Sequence, residues 1–216
     1  PRAIGPGGIP ADNAVTQQQS WTNPSYRFTG GYTFNDEMFG WVTFSHSVKS
    51  GAFNDQTGTF TAGLPLSYPN PLQLQPIDPE FADSIEVGLK MDLFNNTVRL
   101  NIVYFNVQYE DAHRQLNATF ALPGGGSFQE TLFFNAATLD AQGVEVEGSW
   151  VVNDNLTFSG NFSYQDVKFA SFAADTDFDG VIDVDLSGRP VNRSPEWTAY
   201  LTANYEHSLG AMGSAS

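Results

Sequence analysis

Apolar and polar residues alternate one by one over long runs of this chain. A period of two predicts β-strands with unlike faces. In the clearest run, Asn155 to Gln165, Leu156, Phe158, Gly160, Phe162 and Tyr164 oppose Thr157, Ser159, Asn161, Ser163 and Gln165. From Ser84 to Leu93, Ile85, Val87, Leu89, Met91 and Leu93 oppose Ser84, Glu86, Gly88, Lys90 and Asp92. From Gly143, Val144, Val146, Gly148, Trp150 and Val152 oppose Gly143, Glu145, Glu147 and Ser149. From Glu196 to Glu206, Trp197, Ala199, Leu201, Ala203 and Tyr205 share a side. Weaker alternation spans Tyr26 to Phe34 and Met38 to Lys49. From Thr97 to Asp111 the phase changes after Tyr104, and a β-bulge is expected there.

The connectors differ in kind. Asn35-Asp36-Glu37, Asn95-Asn96 and Asn153-Asp154-Asn155 read as tight polar turns. Long Gly-, Pro- and Asp-rich loops are expected near 50–83, 113–139 and 170–195. Several strands run to about 10 residues, enough to cross a bilayer at a tilt. Short turns at one end and long loops at the other predict an all-β, antiparallel up-and-down transmembrane β-barrel segment with about seven strands.

Composition fits such a wall. Only 15% of the 216 residues are charged, whereas 41% are hydrophobic and 14% aromatic. An average soluble domain carries about 25% charged residues. The net charge of −15 opposes phosphate binding, so no nucleic acid partner is expected. Without cysteine there is neither a disulfide framework nor thiol chemistry. The start at Pro1 has no signal-peptide pattern and the A-M-G-S-A-S end no closing strand, so the chain is expected to be a piece of a longer one.

Several stretches, in order, resemble the barrels of TonB-dependent receptors. They are Y-R-F-T-G-G-Y through K-S-G-A-F-N, S-I-E-V-G-L-K-M-D-L-F followed by T-V-R-L-N-I-V-Y-F-N-V-Q-Y-E-D, N-A-A-T-L-D-A-Q-G-V-E-V-E, N-D-N-L-T-F-S-G-N-F-S-Y-Q-D and N-R-S-P-E-W-T-A-Y-L-T-A-N-Y. The resemblance implies part of a barrel of about 22 strands in the outer membrane of a Gram-negative bacterium. It also implies partners outside this chain: membrane lipid, a plug domain inside the barrel, TonB, and a small scarce nutrient such as a ferric siderophore, cobalamin or a glycan. Plug, TonB-contacting segment and closing strand are expected to lie outside these 216 residues. In the family, the glutamates matching Glu86 and Glu145 point inward and pair with plug arginines, which makes these two the expected plug-facing residues. Alternation also fits a secreted, Ca²⁺-stabilised β-sandwich binding module or a porin-type passive channel segment.

Chemistry-bearing clusters are few. Asp175, Asp177, Asp179, Val181 and Asp183 have the spacing of a Ca²⁺ loop, with Gly180 at the turn. Leu186 stands where the bidentate Glu of an EF-hand belongs, so any Ca²⁺ cofactor would be held otherwise. Glu145 and Glu147 lie side by side on one strand face and cannot flank a substrate bond. His46, His113 and His207 pair with no evident nucleophile, so no catalytic residue is expected. The G-G-G-S run at Gly124 to Ser127 reads as a hairpin tip.

Overall fold

The structure, a computed structural model, describes residues 18–54, 76–121, 125–177, 179–208 and 214–215. All regular structure among them is β. The strands are β1 (Tyr26–Asn35), β2 (Met38–Lys49), β3 (Ala52–Phe53), β4 (Pro76–Ile77), β5 (Glu80–Leu93), β6 (Val98–Ala121), β7 (Ser127–Asn153), β8 (Leu156–Ala174), β9 (Val184–Asp185), β10 (Trp197–Tyr205), β11 (His207–Ser208) and β12 (Ser214–Ala215). The order β1, β2, β5, β6, β7, β8, β10 forms one antiparallel up-and-down wall, with β9 added to β8. Asparagine closes two of the short turns: Glu37 N–H donates to Asn35 Oδ1 at 2.9 Å and Asn155 N–H to Asn153 Oδ1 at 2.9 Å. Phe94, Asn95 and Asn96 turn the third through the left-handed region.

The predicted faces agree with the register. Rows of paired residues on the apolar face can be read across the wall. One row is Tyr26, His46, Asp83, Gln108, Asp140 and Lys168. The next is Phe28, Phe44, Ile85, Asn106, Gln142 and Asp166. Below it lies Gly30, Val42, Val87, Tyr104, Val144, Tyr164 and Trp197. The upper limit of the apolar band therefore slopes from Tyr26 on β1 to Trp197 on β10. The lower limit slopes likewise, from Tyr32, which shares a row with Ala199, to Tyr205. The drift is about 14–20 Å over a wall about 29 Å wide, a tilt of roughly 25–35°. Barrel strands lean by a similar angle, and the leaning keeps both borders level with the membrane.

Large apolar side chains on this face stand in the open, with Tyr32 67% and Leu201 74% exposed. No second layer covers them among the described residues, which is not the architecture of a sandwich. A contiguous bare apolar surface of this kind needs a nonaqueous neighbour.

Three expectations are corrected. The ladder runs without a break past Tyr104, which pairs with Val87 and Val144. Phe105 simply turns to the polar face, where it lies over Gly143. The bulge comes later, between Tyr109 and Ala112, where Asp111 is left-handed at φ 53° and its carbonyl accepts from Asn135 Nδ2 at 2.9 Å. Second, most of the expected 113–139 loop is strand, since β6 runs to Ala121 and β7 starts at Ser127. Third, β8 extends to Ala174 inside the expected 170–195 loop, and β5 begins at Glu80 inside the expected 50–83 loop. Above the apolar band the outward face is polar, so the alternation fades while the ladder continues.

There the inward face is apolar. Ala112, Ala137, Leu139, Phe169, Phe172 and Ala174 form a small buried core, with Val184, Leu186 and Val191 packed against it. The covering segment runs along β8 by hydrogen bonds: Leu186 N–H to Phe172 O at 3.0 Å, Gly188 N–H to Phe169 O at 2.7 Å, Val191 N–H to Val167 O at 3.0 Å. It continues the sheet beyond the top of β10.

Glycines let aromatic rings lie flat on the polar face. The Trp41 indole occupies the space where a Cβ on Gly88 would project, and a Cβ on Gly143 would come within 2.7 Å of the Phe105 ring. Gly88→Val is expected to displace Trp41 and cost about 1–3 kcal/mol. Lower thermal unfolding of the full-length variant barrel, followed by its gel mobility shift, would check this; an unchanged transition would refute it.

Candidate functional site

The polar face carries four successive rows. They are Arg27, Ser45, Ser84 and Val107; Thr29, Thr43, Glu86, Phe105 and Gly143; Gly31, Trp41, Gly88, Val103, Glu145 and Ser163; and Thr33, Phe39, Lys90, Asn101, Glu147, Asn161 and Tyr200. Cross-strand hydroxyl pairs join the left side, Thr29 to Thr43 at 3.0 Å and Ser45 to Ser84 at 2.6 Å.

Glu86 and Glu145 therefore share this face, on β5 and β7 with β6 between them. Their surroundings differ. Arg27 Nη2 lies 3.8 Å from Glu86 Oε2. Both groups are partly exposed, so the pair contributes under about 1 kcal/mol, yet it supplies a counter-charge. Among the described residues Glu145 and Glu147 have no cation partner. Asn101 Nδ2 donates to Glu147 Oε2 at 3.4 Å. Arg99, diagonal to Glu147 on the adjoining strand, is taken by Asp92 at 2.8 Å, and Lys90 rests over the Trp41 ring, 5.5 Å from its centre. Glu145, Glu147, Asn101, Asn161 and Ser163 line a depression of about 570 Å³. A smaller one of about 270 Å³ lies beside it, toward Arg99 and Tyr200. The wall thus presents carboxylates, amides and hydroxyls to whatever fills the space it faces.

The chain as a whole matches the family model for the TonB-dependent receptor-like β-barrel, over residues 5–215. The chain belongs to the TonB-dependent receptor family. No curated protein matches it by sequence. Solved structures share the fold at low identity. The ferric yersiniabactin uptake receptor FyuA from Yersinia pestis is 18% identical, with a TM-score of 0.59 over 87% of this chain and 23% of that one. The siderophore receptor PiuA from Acinetobacter baumannii gives 18% and 0.55 over 84% and 23%. The ferric-catecholate import receptor Fiu from Escherichia coli K12 gives 15% and 0.52 over 94% and 27%. The chain thus spans about a quarter of the length of these structures. TonB-dependent receptor barrels lie in the outer membrane of Gram-negative bacteria and are receptors and transporters, not enzymes. In this receptor segment the apolar band meets lipid and the polar face looks into the barrel. In outer-membrane barrels the short turns are periplasmic and the longer connections extracellular.

The acidic loop joins β8 to β9, at the end of the wall opposite the short turns. Carboxylate oxygens of Asp175, Asp177 and Asp183 gather within 4.8 Å of one another. Asp179 is outside that group; its Oδ1 accepts from Val181 N–H at 2.8 Å. Asp175 Oδ2 accepts from Gly180 N–H at 2.7 Å. Thr176 donates to Asp183 Oδ2 through its hydroxyl at 2.8 Å and its N–H at 2.7 Å, and these bonds hold the Asp183 carboxyl below its ordinary range. Bonds from Ser187 do the same for Asp185. Partial desolvation, then the charges of Asp179, Asp183 and Asp175, hold Asp177 above it. Hard oxygen donors of this kind suit Ca²⁺.

The sequence alone missed Arg27 and Asn101 as neighbours of the glutamates. Register across strands, not spacing along one, brings them together. Glu147 was visible only as half of an acid pair.

The lowered Asp183 and Asp185 groups favour the ordered loop above the ordinary Asp pKa of about 3.9, and that contribution is lost as pH falls through their lowered values. The raised Asp177 acts the other way, weakening the loop as it ionises. Amide protection at Thr176 at neutral pH is therefore expected to drop in Asp183→Asn and rise in Asp177→Asn. The wild type should approach Asp183→Asn in acid. Hydrogen-exchange protection factors on the full-length receptor check both signs.

Proposed function

We propose that the intact receptor imports a ferric siderophore, a small iron chelate, across the outer membrane with energy relayed by TonB. The observation that carries the reading is the polar inner wall, whose Glu145 and Glu147 have no ion-pair partner among the described residues, the neighbouring Arg99 being bound to Asp92. Buried carboxylates need partners once a domain covers them. A plug domain carrying arginines meets that need, and Glu145 with Glu86 is the point at which it docks. The iron-chelate cargo is supported by the named substrates of FyuA, PiuA and Fiu.

Deleting the full-length gene should abolish energy-dependent uptake of an iron-labelled chelate, and the intact gene should restore it. Uptake of cobalamin or a glycan in place of iron would overturn the cargo. Glu145→Arg should raise hydrogen exchange in the plug more than Glu86→Arg, because Arg27 already balances Glu86. Equal, unchanged plug protection in both variants would overturn the docking role.

The acidic loop enters the same reading as a Ca²⁺ site that stiffens the extracellular rim, with Asp175, Asp177 and Asp183 as its carboxylates. Asp179 and Val181 are then not required through their side chains. Calorimetry on the full-length receptor should show Ca²⁺ binding that Asp183→Asn removes and Asp179→Asn keeps. No heat at millimolar Ca²⁺ defeats this assignment.

A further inference from the structure

The lipid-facing wall is unevenly filled. On its β7, β8 and β10 side aromatic rings pack together, Tyr164 with Trp197 at 4.4 Å and Trp150 with Phe158 at 6.2 Å between ring centres. Across β1, β2, β5 and β6 a groove of about 680 Å³ opens instead. Gly30, Gly40, Val42 and Val87 form its floor. Tyr32 and Phe34, in edge contact at 5.0 Å, stand on one side and Tyr104 on the other.

A Cβ at Gly30 would meet no heavy atom of the described residues within 4 Å. At Gly40, by contrast, a Cβ would come within 2.9 Å of the Phe34 ring. The floor backbone is committed to the ladder, and the Trp41 indole lies on the other face. The polar side-chain groups of the lining reduce to the Tyr32 and Tyr104 hydroxyls at its rims, which leaves an apolar floor that a water needing about 2–4 bonds does not favour. An unfilled apolar gap forfeits dispersion contacts along all its walls.

Position decides the occupant. The groove lies inside the tilted apolar band, below Tyr26 and Phe44 and level with Tyr32 and Phe34. Those last two flank the short turn after Asn35, which is the periplasmic end of the wall. What meets the wall at that depth is the hydrocarbon of the periplasmic leaflet. We propose that the groove is a seat for one acyl chain of a periplasmic-leaflet phospholipid, held in a fixed place while the rest of the wall meets exchanging lipid.

The test uses the full-length receptor in outer-membrane vesicles with a phospholipid carrying a photoreactive diazirine on its acyl chain. Labelling is expected to concentrate on peptides covering 30–42 and 87–104, above the level on β8 and β10. Gly30→Leu fills the open space and is expected to bring labelling there down to that background, with an unchanged gel mobility shift showing an intact barrel. Even labelling across the wall, or labelling unaffected by Gly30→Leu, overturns the proposal. So does preferential labelling by a diazirine-bearing lipopolysaccharide, which would place the chain in the other leaflet. A receptor–receptor crosslink through Gly30→Cys that excludes the lipid probe would overturn it in favour of a second copy.

Discussion

Inside hydrocarbon no water is present to bond a peptide group, so every N–H and C=O that crosses it needs a partner from the chain itself. Within this wall the partner is the neighbouring strand, on both sides for every strand from β2 to β8 along the order. The ladder from β1 to β10 is continuous through the apolar band, and its irregularities lie beside the short turns, between Thr33 and Asn35 and next to Asn153, or above the band, near Asp111 and Ala170. Once the backbone is bound in this way, side chains have two directions left, and the solvent on each side chooses them. Outward residues become Val, Ile, Leu and aromatic; inward ones become Ser, Thr, Asn and Glu. The tilt of the aromatic borders follows from the same ladder, because paired rows run across strands that lean.

The rule reverses where the bilayer stops. Above the row of Phe28, Phe44 and Ile85 the outward positions are His46, Asp83, Gln108 and Asp140, while Leu139, Phe169 and Phe172 turn inward under residues 184–191. A projecting sheet in water needs a core of its own, and this one makes it from its inner side. Asn54 serves the same region: its amide accepts from Phe133 N–H at 2.7 Å and donates to Phe133 O at 3.3 Å, replacing a neighbouring strand at that residue.

The membrane part of this arrangement was legible in the chain because period-two patterning is strongest where the two sides differ most. Ser84 to Leu93 and Asn155 to Gln165 needed nothing beyond parity. The phase change after Tyr104 misled because Phe105, Val107 and Tyr109 are apolar yet face inward: Phe105 over Gly143, Tyr109 against the small buried core. An inward ring over a glycine looks, in one dimension, like a bulge. The extent of β6 and β7 was likewise hidden, since a ladder with two polar sides or a buried inner side has no simple period. The acidic spacing marked a loop in which three carboxylates gather, but which ones converge depends on turns made by Thr176 and Gly180, which spacing does not encode.

The paired fit of rings and glycines sets how this wall can change over generations. Trp41 needs the hollow at Gly88, and Phe105 the one at Gly143. Enlarging the small member alone makes a collision, and shrinking the large member alone leaves a gap, so either step by itself costs packing energy. The two positions therefore constrain each other from separate strands, and only the loss of the indole opens room for a side chain opposite it.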